Sequence, residues 1–236
     1  MMESDLMVGL IAALSLFVGL HSVPAIPTLR SGIIRTVGRT TYLAVYSAVS
    51  TVALVWLFYE ALNTDYVELW STAAWQVHVT FVLAPLGLFL VISGLISRNP
   101  FSVAIRHDDD APGAIVGITR HPVLWGFLLW SAGHVFPNGD LRSAILFGGF
   151  AAFSLGGMLM AERRSRRKLG ARWETMARDT SVIPLVANLT ARRFPRADWP
   201  MFVGFVLSLA LTAWLLLGGH AALVGADPVT TLQSLQ

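Results

Sequence analysis

Six apolar stretches dominate this chain, at about 6–26, 41–62, 74–96, 114–136, 142–160 and 200–219. Each is long enough to cross, or nearly cross, the hydrocarbon core of a bilayer. Inside lipid every backbone N–H and C=O must find its partner within the protein, so runs of this length are read as helices. Composition agrees: the chain is 55% hydrophobic and 13% charged, with a mean hydropathy of +0.63. A water-soluble domain of 236 residues would carry far more surface charge. The expected fold is therefore all-α: one polytopic transmembrane domain over 1–236, with about six membrane helices. The acidic start, MMESD, has no basic region before the first apolar run. That run is read as a retained helix rather than a cleaved signal.

Charge sets the orientation. All but one of the 17 Lys and Arg residues fall in loops on one side of the six-helix topology. Arg30, Arg35 and Arg39 follow the first helix, Arg98 and Arg106 lie between the third and fourth, and Arg120 stands at the start of the fourth. Ten more lie between Arg163 and Arg196. The opposite side has only Arg142, against Glu3, Asp5, Asp65, Glu68, Asp140 and Asp227. Positive residues stay cytoplasmic, which places both termini outside, in the periplasm of a bacterium with this chain in its inner membrane. The segment 162–199 is too charged to span. It is expected to lie on the bilayer surface, with Leu169, Trp173 and Met176 at the lipid boundary. The pI of about 9.8 thus reflects the cytoplasmic face and an attraction to lipid, and nucleic acid is not an expected partner. Asp108, Asp109 and Asp110 lack the spacing of a calcium loop and read as a solvated turn.

The chain has no cysteine, which excludes disulfides, iron–sulfur clusters and thiol nucleophiles. It has six histidines, and four of them, His21, His78, His121 and His134, fall within or at the ends of the apolar stretches. Ionisable groups at such depth are costly and point to function, although a single histidine also serves as interhelical glue. Helical rise places His21 about 13 Å, His134 about 21 Å and His78 about 30 Å from the basic edge, with His121 at the edge itself. Two imidazoles at similar levels suit haem iron or another imidazole-loving metal. His21 with His134, and His134 with His78, both satisfy the levels. Trp125 and Trp130 are placed to line a pocket for a flat ligand, and packing accounts for them equally well.

The fourth stretch opens Gly117-Ile-Thr-Arg120-His121-Pro122-Val-Leu-Trp125-Gly126 and runs to His134, followed by Asn138-Gly139-Asp140. The first contains Leu20-His21-Ser22, and the third ends Ser97-Arg98-Asn99-Pro100. Together these closely resemble the NnrU family of bacterial membrane proteins, over nearly the whole chain. That family is linked to denitrification, through production of active nitrite and nitric oxide reductases. It is also similar to 15-cis-ζ-carotene isomerase, a membrane enzyme that uses histidine-ligated haem b. The resemblance implies His21 and His134 as haem ligands, His121 as a motif histidine of another role, and His78 in the wider set. It also implies either a hydrophobic substrate or reductase and electron-transfer partners.

A more distant likeness is to isoprenylcysteine and phospholipid methyltransferases, where an arginine–histidine–proline motif precedes a glutamate-bearing basic helix that holds S-adenosylmethionine. Here that signature is half altered, with Leu124, Ala161, Ser165 and Trp173 at positions where that group has Tyr, Glu, Leu and Tyr. Arg120, His121 and Glu162 remain as a candidate catalytic edge for a carboxylate or phosphate. Equally, Arg120 and Glu162 form a structural ion pair. The resulting reading is a haem b protein, with a non-haem assembly factor for reductases and an S-adenosylmethionine-dependent methyltransferase as alternatives.

Overall fold

A computed structural model describes residues 2–22, 26–105, 111–192 and 194–236. Asp108 to Asp110 and His107 lie outside the described residues. The helices are α1 (Met2–Ser22), α2 (Pro27–Val37), α3 (Arg39–Asn63), α4 (Ala74–Ile96), α5 (Ala114–Ile118), α6 (Pro122–Val135), α7 (Leu141–Leu169), α8 (Arg172–Ala177), α9 (Val186–Ala191), α10 (Trp199–Trp214), α11 (His220–Val224) and α12 (Pro228–Ser234). No strand occurs among the described residues, and Glu68 and Asp140 make one isolated bridge. Four helical stretches are long and apolar enough to cross a membrane: Arg39–Asn63, Ala74–Ile96, Leu141–Leu169 and Trp199–Val224. Met7–Ser22 is a shorter apolar helix.

The chain divides into two compact units, 1–70 with 139–149, and 71–138 with 150–236. In the first, α1 packs on α3, and Leu10, Ala13, Leu57 and Ala61 are buried. Gly9 leaves room for the Glu60 carboxylate, which also accepts the Trp56 indole N–H at 2.8 Å. Gly139 and Asp140 of the Asn-Gly-Asp motif are structural on this side. The Gly139 carbonyl accepts the Leu69 and Trp70 N–H groups, and a Cβ on Gly139 would strike the Trp70 carbonyl. Asp140 caps the start of α7 by accepting the Ser143 N–H at 3.0 Å.

In the second unit, α4 is packed between α6 and α10. Its interior is lined by small residues: Gly87, Ser93, Gly94, Gly126, Ser131, Gly133, Gly204 and Ser208 are all buried. Large apolar side chains such as Val82, Phe127, Phe202 and Phe205 are exposed. This is the pattern of a membrane bundle, where lipid is as apolar as any core and helices associate by close backbone approach. Gly87 and Gly126 form the tightest part. A Cβ at Gly126 would lie 2.5 Å from the Gly87 carbonyl oxygen, and one at Gly87 would lie 2.6 Å from the Gly126 carbonyl oxygen. The glycine of the Arg-His-Pro motif is thereby explained by packing.

Three expectations change. The fourth stretch, expected as one helix over 114–136, is broken between α5 and α6. Pro122 has no N–H and biases the residue before it away from helix, and His121 adopts φ −123°, ψ 56°. The fifth helix, expected over 142–160, continues to Leu169, so the first part of the basic segment is helical and in line with it. Leu169 and Trp173 do not sit at the lipid boundary. They are 7% and 9% exposed, packed with Leu90, Phe101, Ile115 and Val116, while Met176 lies partly buried against them. Trp173 is held there by the guanidinium groups of Arg120 and Arg166, 5.5 Å and 5.0 Å from its ring, and by the edge of Phe101.

Candidate functional site

The second unit gathers chemistry at both ends of α6. At the start of α6, Arg120 faces Glu162 of α7 in a two-pronged pair. Its Nη2 donates to Oε1 at 2.9 Å and its Nε to Oε2 at 3.2 Å. The remaining Nη1 donates to the carbonyl and hydroxyl of Thr180. His121 is fully buried and donates Nε2–H to Glu162 Oε2 at 3.1 Å. The three residues picked out from the sequence as a candidate catalytic edge therefore meet at one carboxylate.

The surroundings reinforce that edge. Asn99 is fully buried; its Oδ1 accepts the N–H groups of Phe101 and Ser102, and its Nδ2 donates to the Arg120 carbonyl. Thr119 and Trp125 both donate to the Val182 carbonyl, at 2.7 Å and 2.8 Å. Trp125 is thus a clamp on the loop after α8. His121 Nδ1 is buried without a hydrogen-bond partner. Burial pushes the His121 pKa below the ordinary histidine value, opposed by its bond to Glu162. Asn99 and Asp198 are the residues that sequence reasoning missed here. Asp198 caps α10 through the Met201 N–H and also accepts the Ala114 N–H. Its signal was legible, since an aspartate just before Trp-Pro and an apolar run is a helix start.

At the other end of α6, the His134 Nδ1 lies 2.7 Å from the Trp130 carbonyl oxygen. A carbonyl can only accept, so Nδ1 carries the proton and Nε2 the lone pair. The Trp130 ring lies 4.6 Å from the imidazole. His220, not singled out from the sequence, lies with its ring centroid 6.4 Å from that of His134 and 17° from parallel.

The other expected ligands have the same tautomer. His78, exposed near the start of α4, bonds through Nδ1 to the Ala74 carbonyl at 2.7 Å. His21, in the first unit, bonds through Nδ1 to the Phe17 carbonyl at 2.8 Å and lies between Phe17 and Tyr46, whose centroids are 4.1 Å and 6.0 Å away. Among the described residues no group of three or more His, Cys, Asp or Glu side chains converges to hold a bare metal ion.

Comparison with known proteins matches these features to a family. Residues 9–228 fit the pattern of the family described as NnrU protein. The 15-cis-zeta-carotene isomerase of Arabidopsis thaliana chloroplasts is 32% identical over 108 residues, which is 46% of this chain and 29% of the relative. The aligned part therefore spans less than a third of that enzyme's length. No solved structure matches. The match over most of its length shows that the chain belongs to the NnrU family of membrane proteins.

Proposed function

We propose that this protein is an inner-membrane haem b protein of a bacterium, with periplasmic termini, in which His134 would hold the haem iron and the substrate is hydrophobic and polyene-like. The observation that carries the reading is the shared tautomer of the membrane histidines. His21, His78 and His134 each donate Nδ1–H to the carbonyl four residues earlier, which leaves Nε2 as the nitrogen with the lone pair. Histidine ligands are characteristically fixed this way, by a hydrogen bond on the ring nitrogen away from the metal. The donor set fits haem: imidazoles without thiolate and, among the described residues, without the three or four clustered side chains that a bare ion requires.

When bound, haem would supply a redox-active iron held by imidazole. The residues of the chain set its environment. Trp130 lies against the His134 ring, with centroids 4.6 Å apart. The isomerase relative supports a hydrophobic substrate. The Arg120–His121–Glu162 edge is assigned a positioning role, because Arg120 and Glu162 satisfy one another and Thr180.

The test is the absorption spectrum of detergent-purified protein, oxidised and dithionite-reduced, with a pyridine haemochrome assay. A stoichiometric b-type spectrum that is lost in His134→Ala is expected. A colourless protein expressed with ample haem overturns the reading. If it then co-purified with a nitrite or nitric oxide reductase, an assembly role in denitrification would replace it.

A further inference from the structure

The loop after α8 and the short helix α9 are fastened to the residues just before α6. The Arg120 N–H donates to the Ser181 carbonyl and the Leu185 N–H to the Ile118 carbonyl, both at 2.8 Å. Between them the Val182 carbonyl accepts the Thr119 hydroxyl and the Trp125 indole. Ser181 closes the turn, its hydroxyl accepting the Ala187 N–H and donating to the Ile183 carbonyl. Leu185 is held at φ 66°, ψ −9°, a left-handed backbone that a leucine adopts only where its neighbours fix it.

What these bonds present is apolar. Ile183 and Leu189 are 60% and 65% exposed, and Leu185 and Val186 are exposed with them. Val186 and Leu189, three residues apart, share the outer face of α9, while Asn188 is buried behind it. Further along, Phe194 and Trp199 are exposed as well, and Trp199 opens the stretch Trp199–Val224, which is long and apolar enough to cross a membrane. With one end tied to the start of α6 and the other leading into a membrane helix, the segment lies at the bilayer boundary. Its surroundings are basic. Arg178 lines a shallow cavity together with Asp179, Val186 and Thr190, and Arg192 ends α9; both arginines are exposed. From 178 to 196 the sequence has four arginines and one acid. Apolar side chains flanked by guanidinium groups suit the interface of an anionic leaflet, with the former among acyl chains and the latter at the phosphates.

We propose that Ile183, Leu185, Val186, Leu189 and Phe194 form an anchor that dips into the leaflet on the basic side of the chain, with Arg178 and Arg192 on the phosphates of anionic phospholipids. This anchor takes the place expected of Leu169, Trp173 and Met176, which pack inside. The chain has no cysteine, so Leu189→Cys gives the full-length protein a single site for a nitrobenzoxadiazole label. In nanodiscs of phosphatidylcholine and phosphatidylglycerol, with a nitroxide high on the acyl chains, this label should be quenched about as strongly as one at Phe202→Cys, exposed near the start of α10. It should be quenched far more than one at Glu174→Cys, exposed on α8. Each arginine at an anionic surface favours insertion roughly fivefold. Omitting phosphatidylglycerol, or adding Arg178→Gln with Arg192→Gln, should therefore weaken quenching at Leu189→Cys and leave Phe202→Cys unchanged. Quenching at Leu189→Cys no greater than at Glu174→Cys overturns the anchor. A label that is shielded from water yet not quenched does so too, since a second copy of the chain or another protein then covers the patch. Equal quenching with and without phosphatidylglycerol overturns the assignment to anionic lipid.

Discussion

The two ends of α6 use histidine in opposite ways. At the Arg120 end, His121 is fully buried and spends its Nε2–H on a carboxylate that also receives a two-pronged arginine. At the other end, His134 donates its Nδ1–H to a backbone carbonyl of its own helix, and its ring lies 6.4 Å from that of His220. A histidine tied to a shared carboxylate joins two helices. A histidine bonded to its own backbone has its ring oriented by its own helix. The same residue type on the same helix is thus a joint at one end and, in the function proposed above, a ligand at the other.

The contrast depends on α6 being a rigid rod between the two ends, so the largest effect is expected where that rod meets α4. Gly126→Leu forces a side chain into the Gly87 carbonyl and the Val91 backbone, neither of which can yield as a flexible side chain would. Overpacking commonly costs about 1–3 kcal/mol, and contact with backbone belongs at or beyond the top of that range. The expected outcome is loss of a monodisperse peak in size-exclusion chromatography. A well-behaved Gly126→Leu protein would show that the two ends need no common frame.

Next in size is Glu162→Gln, which removes the charge shared by Arg120 and His121 at a site where the Arg120 and Glu162 side chains are 12% and 16% exposed. Stranding a buried charge costs about 3–5 kcal/mol, and the partial exposure here places the expected loss toward about 3. Thermal melting should fall by several degrees, while any haem spectrum stays as in the wild type. If the spectrum changes instead, the Arg120 end shares in the chemistry.

His134→Ala is expected to do the reverse. It gives up, among other contacts, a hydrogen bond within its own helix and the contact with Trp130, a loss of about 1–2 kcal/mol, and it is expected to remove the spectrum. The smallest effect is one of pH. His121 is held below its ordinary pKa, so it is neutral when folded and takes up a proton more readily when unfolded. Its contribution is full above the ordinary value of about 6.5 and is lost as pH falls below that, through the depressed folded value. The melting temperature should decline in that window, and His121→Gln should flatten the decline. An identical slope in the variant would assign the acid sensitivity to other groups.

Much of this was legible in the chain. Apolar run length gave the helices, because lipid leaves the backbone no other solution, and α4 keeps its expected bounds at Ala74–Ile96. The meeting of Arg120, His121 and Glu162 was legible because opposite charges at helix ends near the membrane have few other partners. What escaped notice depends on three-dimensional register. Trp173 looks like an interfacial anchor in a basic stretch, yet two guanidinium groups seat it in the core. The break before Pro122 was written in the sequence but was outweighed by the apolar run around it. His220 stands near a helix end in the sequence, and its ring comes within 6.4 Å of that of His134 after a kink at Leu217 and Gly218.

The most direct test of the account sets the two ends side by side: the Soret spectrum and the melting curve of Glu162→Gln and His134→Ala, measured on the same preparations. The account predicts a lowered melting temperature with an intact spectrum for the first, and a lost spectrum with a nearly intact melting temperature for the second. If both variants lose stability alike and neither changes a spectrum, His134 is a packing residue and the two ends of α6 do the same work.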